Sequence, residues 1–185
     1  MKRFIIFSLL ATVLLWHSFA LEIKRQNLSD LKNLYQTGEY EEAIKLGVKL
    51  YHFNKNTYKI QTAIICSYIS LAQYNWYDFE NGNYFSSKSL ELLSKNRSES
   101  QEYVNALLEV VDAHIQRNEW IRADSLLNSI SKPTVQANLD NYIKFNLVNA
   151  NLLKNKGKYL IAIDLLDQSN AYLLASNNEP ISKIN

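Results

Sequence analysis

The side chains able to do acid–base, nucleophilic or metal chemistry are few and far apart in this sequence. Two histidines lie beyond the first twenty residues, His52 and His114. Neither has a Cys, a His or a carboxylate at a metal-ligand spacing such as HExxH or CxxC. Because His114 lies near the apolar stripe of a predicted helix, a partly buried histidine is favoured over a catalytic one. No metal or cofactor site is predicted.

The remaining reactive groups also have structural explanations. Cys66 is the single cysteine and lies in the apolar segment QTAIICSYISLA, which is typical of a buried, inert thiol that forms no internal disulfide. Glu41 and Glu42 begin a predicted helix, where the helix dipole favours carboxylates. No phosphate loop, GxSxG elbow or catalytic pair of carboxylates appears. The chain is therefore predicted not to be an enzyme; the alternative is an unfamiliar activity on cell-wall or sugar substrates through His114 or Glu109.

The first twenty residues, MKRFIIFSLLATVLLWHSFA, have the pattern of a secretory signal peptide. Lys2 and Arg3 precede an apolar run over 4–16, and small residues lead to a predicted cleavage site after Ala20. The alternative is an uncleaved membrane anchor, but a spanning helix needs roughly 20 apolar residues and His17 interrupts this run. The protein is therefore expected in the periplasm or outside the cell.

The overall charge argues against nucleic acid as a partner. The chain has 20 basic and 18 acidic residues, and the excess of two is Lys2 and Arg3 of the signal. Phosphate binding needs clustered, uncompensated basic residues, and no basic run follows Lys24 and Arg25. Contact with a membrane is expected only through an uncleaved signal segment.

The candidate elements are helices, because four Gly and two Pro are few for a chain rich in strands and turns. One helix is especially clear, since five apolar residues lie on one face at helical spacing: Val104, Leu107, Leu108, Val111 and Ile115. A polar break over 117–119 follows, then a second helix that Pro133 is expected to stop.

This plan of long helix, short turn and second helix occurs four times. The turns have Gly or Asn, then an aromatic residue two positions later: Gly38 and Tyr40, Gly82 and Tyr84, Asn118 and Trp120, Gly157 and Tyr159. A small residue lies three positions past each aromatic one, where two helices can pack closely: Ala43, Ser87, Ala123 and Ala162. The aromatic residues are 44, 36 and 39 residues apart.

These segments, TGEYEEAIKL, NGNYFSSKSL, RNEWIRADSL and KGKYLIAIDL, resemble tetratricopeptide repeats. The resemblance implies an all-α fold, an α-solenoid of about four antiparallel helix hairpins that form a right-handed superhelix over 21–176, followed by a polar tail over 177–185. The expected hairpins span about 23–53, 57–94, 99–131 and 134–176. All three spacings exceed the family period of about 34; the register across 57–80 stays open, and a generic helical-hairpin solenoid is an alternative.

The same resemblance implies a concave face lined by the first helix of each hairpin. The residues expected on that face, and so expected to bind a protein or peptide, are Tyr35, Trp76, Phe79, Glu109, Asp112, Asn151 and Lys154. The alternative for Trp76 and Phe79 is packing between helices. The predicted function is an exported, non-enzymatic scaffold; the alternative is the extracytoplasmic sensory module of a longer bacterial receptor.

The last predicted helix carries two apolar stripes instead of one. Ile161, Leu165 and Tyr172 form the stripe that is expected to be spare. It is predicted to bind another copy of the chain, a partner or a continuation of the chain. The alternative is that the polar tail folds back over it.

Overall fold

The computed structural model describes residues 27–98, 100–131 and 138–178, and within these ranges the chain forms eight α-helices and no strand. The helices are α1 (Leu28–Gln36), α2 (Tyr40–Asn54), α3 (Lys59–Asn75), α4 (Phe79–Lys95), α5 (Gln101–Gln116), α6 (Trp120–Asn128), α7 (Leu139–Asn155) and α8 (Tyr159–Asn178). The predicted all-α class is confirmed. The signal segment, the stop at Pro133 and residues 179–185 of the predicted tail lie outside the described residues. No helix in the described ranges is long and apolar enough to span a membrane.

Side-chain caps mark the start of three of the four first helices, and Asp78 caps the second helix α4 in addition. The Asn27 Oδ1 accepts the Ser29 backbone N–H at 2.7 Å before α1. Ser100 and Asn138 cap α5 and α7 in the same way, accepting the N–H of the residue three positions on. Such caps satisfy N–H groups that have no partner within the helix, and each stabilises the helix by about 1 kcal/mol. Three of the four hairpin starts are therefore encoded locally, whereas Tyr58 before α3 provides no side-chain cap.

The turns inside the four hairpins share one geometry. Each has one residue with a positive φ angle, namely Gly38, Tyr77, Asn118 and Gly157. The backbone N–H of the following residue donates to the carbonyl five positions earlier, as from Glu39 to Leu34 at 2.9 Å, and the equivalent bond is also 2.9 Å in the other three turns. This is the Schellman arrangement, in which a left-handed residue ends a helix. The left-handed residues are 39, 41 and 39 positions apart.

The predicted turn of the second hairpin, Gly82 and Tyr84, is wrong. These residues lie inside α4, and the turn is at Tyr77. A tyrosine in the left-handed position gives no Gly or Asn signal, which is why the pattern pointed five residues too far on. In the corrected register Phe79 is the aromatic residue, and it is 39 residues from Tyr40 and 41 from Trp120.

Gly82 therefore has the role that was predicted for Ser87. Like Ala43, Ala123 and Ala162, it makes the first backbone hydrogen bond of its helix. It also lies against α3: the Ser70 hydroxyl donates to the Gly82 carbonyl at 2.7 Å, and a Cβ on Gly82 would lie 3.3 Å from the Ser70 carbonyl oxygen. Ser87 is exposed.

The helices pack in a regular order. The first helices of the hairpins (α1, α3, α5 and α7) contact one another in sequence, each contacts its own second helix, and α2, α4 and α6 also contact the next first helix. One continuous apolar core runs from Leu31 in α1 to Leu152 in α7. The result is an array of eight helices, each packed against its neighbours, that is compatible with a helical repeat.

The last helix, α8, packs against α7. Ala162 and Ser169 are buried there, and the Tyr172 ring lies 4.9 Å from the Tyr142 ring of α7. In the predicted spare stripe, Tyr172 thus contacts α7 through its ring but stays 47% exposed, Ile161 is 53% exposed and Leu165 is half-buried. Further apolar residues of α8 are exposed as well.

Candidate functional site

Two hydrogen-bonded groups of polar side chains cover one side of the first helices, and they meet where the Tyr35 and Tyr68 rings lie 5.8 Å apart. We call the two groups together the first-helix face; its members are Lys32 and Tyr35 of α1, Tyr68 of α3, Asn105, Glu109, Asp112 and Gln116 of α5, and Lys144 and Asn151 of α7. It joins residues far apart in sequence because the first helices stack in order.

Glu109 is the centre of this face. Its carboxylate accepts from Lys32 Nζ at 2.8 Å, from Lys144 Nζ at 2.5 Å and from the Tyr68 hydroxyl at 2.9 Å. Lys144 also donates to the Asn105 Oδ1 at 2.6 Å. Two lysines around one carboxylate leave this part of the face with a net positive charge.

The environment keeps the central groups in fixed protonation states. Burial raises the pKa of the Glu109 carboxyl, but the hydrogen bonds from Lys144 and Lys32 outweigh it, and the net pKa lies below its usual value. Burial, followed by the neighbouring Glu109 charge, raises the pKa of Tyr68 far above its usual value. Glu109 is therefore an anion and Tyr68 a neutral donor at physiological pH.

A second group of contacts extends the face toward the turns. Asp112 accepts from Gln116 Nε2 at 2.7 Å and from Asn151 Nδ2 at 3.3 Å. The Tyr35 hydroxyl donates to the Gln116 Oε1 at 2.7 Å. Since Lys32 and Tyr35 both reach α5, side chains of the first and third hairpins meet across α3.

Three exposed aromatic residues lie in the turn of the second hairpin, beside this face. This aromatic turn consists of Trp76, Tyr77 and Phe79, which are 55%, 83% and 47% exposed. Asn75, next to Trp76, interacts with the Tyr35 hydroxyl. The predicted inward position of Trp76 and Phe79 is wrong, because both lie at the turn, and the alternative of burial between helices does not hold either.

Tyr77 is an unusual residue for this turn. Its φ angle is 62°, and a non-glycine residue in the left-handed region costs roughly 1–2 kcal/mol. Its ring lies 6.3 Å from that of Phe79, which meets the Tyr74 ring at 4.8 Å. Backbone strain of this kind is concentrated at functional positions.

A buried arginine, Arg117, contacts Tyr74, the residue against which Phe79 of the aromatic turn packs. The Arg117 guanidinium lies 4.7 Å from the centre of the Tyr74 ring, a cation–π contact. It also donates to the Ser70 hydroxyl at 2.7 Å and to the Asn83 Oδ1 at 2.6 Å. These contacts fix the position of Tyr74, against which Phe79 packs.

Of the reactive groups singled out in the sequence, Glu109 is the centre of this face, whereas His114 and Cys66 lie apart from it. His114 is buried against the Glu119 carboxylate, and burial lowers the pKa of its imidazole. Burial raises the pKa of the Cys66 thiol to about 12, so the thiol is protonated. Among the described residues, no three His, Cys, Asp or Glu side chains are grouped as metal ligands. The first-helix face presents charged and hydrogen-bonding groups.

The structure brings together four of the seven predicted binding residues. Tyr35, Glu109, Asp112 and Asn151 lie on the first-helix face, whereas Lys154 is exposed at the end of α7. Tyr68 was missed because the second hairpin was out of register. The signal was present: Tyr68 precedes Tyr77 by nine residues, as Glu109 precedes Asn118.

No protein-family model matches the chain, and neither the curated proteins nor the solved structures include a significant match. The relationship to tetratricopeptide repeats therefore stays a prediction that rests on the sequence segments.

Proposed function

We propose that the protein is an exported, non-enzymatic scaffold that binds a protein or peptide at the first-helix face and the adjoining aromatic turn. The observation that carries this proposal is the aromatic turn itself. Trp76, Tyr77 and Phe79 are exposed together in a turn that is strained at Tyr77. Aromatic residues next to a charged, hydrogen-bonding surface are the typical anchors of a protein interface.

We further propose that the four hairpins form an α-solenoid. The support is the common turn geometry at intervals of 39 to 41 residues, together with the ordered packing of the first helices. In such an array the first helices line a concave face. A peptide lying across it would meet amide groups at Asn105 and Gln116 and positive charge at Lys32 and Lys144.

Affinity capture from the native cell envelope tests the binding site. The Trp76→Ala, Phe79→Ala double variant is expected to lose the captured partner, since truncation of a central aromatic anchor commonly costs about 2 kcal/mol or more. The matched control is Phe53→Ala, Tyr58→Ala, which removes two exposed aromatic residues at the α2–α3 connection. The captured protein is then purified and its Kd measured by calorimetry. Equal affinity for the wild type and the first variant would contradict the proposal.

Export has a separate test. Amino-terminal sequencing of the protein from the envelope fraction is expected to begin at Leu21. An amino terminus at Met1 in a membrane pellet would instead support an uncleaved anchor.

A second candidate function is the sensory module of a longer receptor. The observation that favours it is the exposed apolar side of α8, which a further element of a receptor would cover. A membrane helix encoded in frame after residue 185 would support this candidate over a free scaffold.

A further inference from the structure

One side of α8 exposes apolar residues along most of the helix. Tyr159, Leu160, Ile163, Leu166 and Leu174 are all exposed, and at 100° per residue they fall within one arc of the helix surface. We call these five residues the α8 outer face. It lies away from Ala162 and Ser169, which are buried on the side of α7.

The earlier hairpins show what kind of element covers this position. Leu166 lies seven residues after Tyr159, and the corresponding positions in α2, α4 and α6 are Gly47, Ser86 and Leu127, all of them buried. Leu127 is 4% exposed, whereas Leu166 is 41% exposed.

In each earlier hairpin the cover includes a helix. A Cβ on Gly47 would overlap Ile69 of α3, Ser86 shares a small cavity with Val110 of α5, and α6 packs against both α5 and α7. At Leu166 the α8 outer face therefore matches a position that is packed against a helix in the earlier hairpins. At Leu160 it does not, because the corresponding residues Glu41, Glu80 and Ile121 are exposed.

The charge of α8 indicates the charge of that helix. Between Tyr159 and Asn178 there are two acidic residues, Asp164 and Asp167, and no Lys, Arg or His. Asp164 accepts from Gln168 at 2.8 Å, and neither aspartate forms an ion pair with the described residues. In the third hairpin, by contrast, the next hairpin provides a cation for an aspartate of the second helix. The Lys156 Nζ, just after α7, lies 2.9 Å from the Asp124 carboxylate of α6. A helix on α8 would be stabilised by Lys or Arg beside its apolar stripe.

A second copy of the chain fits this surface poorly. The exposed side of α1, which would meet α8 in a head-to-tail assembly, carries Ser29, Asn33 and Gln36. Two α8 helices face to face would bring four aspartates near one another, and like charges oppose association. Within the described residues, the exposed side of α1 offers no apolar stripe, and the lysine of α1, Lys32, is already paired with Glu109.

We infer that the α8 outer face docks an amphipathic α-helix of a partner chain, with an apolar stripe flanked by lysines or arginines. This helix-in-groove recognition uses apolar anchors at helical spacing, while the flanking charges select the partner. The site is separate from the first-helix face.

Two synthetic peptides test both parts of this inference. One is a helical Leu/Lys peptide of about 18 residues, long enough to span α8 at 1.5 Å per residue, and the other has Glu in place of every Lys. Fluorescence anisotropy with the full chain is expected to show at least tenfold tighter binding of the Leu/Lys peptide. Equal binding of both peptides would overturn the charge assignment.

Variants locate the bound peptide. Ile163→Ser, Leu166→Ser is expected to weaken Leu/Lys binding at least tenfold, and Asp164→Asn, Asp167→Asn to reduce the preference for Lys over Glu. The control Leu147→Ser, at an exposed leucine of α7, is expected to bind as the wild type does, as is Trp76→Ala, Phe79→Ala. Because Trp76→Ala, Phe79→Ala removes the aromatic turn and leaves α8 intact, it separates a failure of the proposed function from a failure of the α8 site.

Two further results would overturn the inference. The first is unchanged Leu/Lys binding by the Ile163→Ser, Leu166→Ser variant, which would place the peptide elsewhere. The second is a dimer of the wild-type chain in sedimentation that this same variant dissociates, because a second copy would then occupy the α8 outer face.

Discussion

Tyr77 combines an exposed ring with a backbone conformation that lowers the stability of the folded protein. Its backbone is left-handed, as in the other three turns, but those have Gly or Asn at this position. Replacing Tyr77 with Gly relieves roughly 1–2 kcal/mol of backbone strain in the folded protein. The greater flexibility of glycine in the unfolded chain costs less, roughly 0.4–1 kcal/mol. Tyr77→Gly is therefore expected to raise the free energy of unfolding by about 0.5–1 kcal/mol, measured with urea, and to weaken partner capture.

Asn118→Gly is the matched control for this change. Asparagine tolerates the left-handed region better than tyrosine does, so its effect on stability is expected to be smaller. A Tyr77→Gly variant less stable than the wild type would show that ring contacts outweigh the strain.

Glu109 is predicted to contribute stability that depends on pH. Replacing it with Gln leaves Lys32 and Lys144 without their carboxylate, and hydrogen bonds to charged groups contribute roughly 1.5–3 kcal/mol. Glu109→Gln is expected to lower the free energy of unfolding by about 1–3 kcal/mol at pH 7, less if solvent screens the partly exposed lysines.

The pH dependence follows from the lowered pKa of Glu109 in the folded state. A depressed carboxyl pKa adds stability above the unfolded value of about 4.3, and this stability is lost as the pH falls through the folded value. The difference in the free energy of unfolding between the wild type and Glu109→Gln, measured in urea titrations, should therefore become smaller below about pH 4. Glu102→Gln is the control, since Glu102 is exposed on the same helix and forms no ion pair with the described residues. A constant difference down to pH 2 would contradict this role.

For single residues, the sequence predicts positions correctly only in the hairpins whose turns have Gly or Asn as the left-handed residue. Tyr35, Glu109, Asp112 and Asn151 were placed together because their turns were recognised. Tyr68 was not, because Tyr77 hides the turn that sets its register. Lys32 reaches Glu109 across α3 and Lys144 reaches it from α7, and no local pattern encodes either contact.

At the scale of single helices, α6 is the most direct test of the hairpin plan. The Ala123 N–H donates to the Glu119 carbonyl at 3.0 Å, and Ala123 is buried. Ala123→Pro removes this bond and introduces a clash, which costs about 3 kcal/mol or more. Ile121→Pro is the matched control, because proline is tolerated in the first turn of a helix. Equal thermal midpoints for the two variants would contradict the position of α6.

The helices themselves were predictable and their register was not. Apolar spacing in α5 and the Gly and Asn turns indicate three hairpins directly. In the second hairpin the small residue is Gly82 and the left-handed residue is Tyr77, so glycine marks the packing position instead of the turn. Only backbone geometry separates these two uses of glycine.

At the scale of the whole molecule, two contacts tie the first hairpin to the third. They are Lys32 with Glu109 at 2.8 Å and Tyr35 with Gln116 at 2.7 Å. Lys32→Met, Tyr35→Phe removes both and keeps most of the side-chain volume. We expect faster hydrogen exchange in α1 and a larger radius of gyration by X-ray scattering, since local stability follows such contacts. Lys45→Met is the control, since it breaks only surface ion pairs with Glu41 and Glu42 on α2. Exchange in α1 equal to that of the control would show that the core alone holds the hairpin.

Cys66 gives the molecule a chemical reporter of its own motions. It is the one cysteine in the chain, it is fully buried in α3, and burial raises the pKa of its thiol to about 12. A covered, protonated thiol alkylates only when its surroundings open. The rate at which a thiol reagent modifies Cys66 in the native protein therefore measures how often α3 and its neighbours open. A cysteine introduced at the exposed Ser87 would react with a fluorescent label faster than Cys66 does.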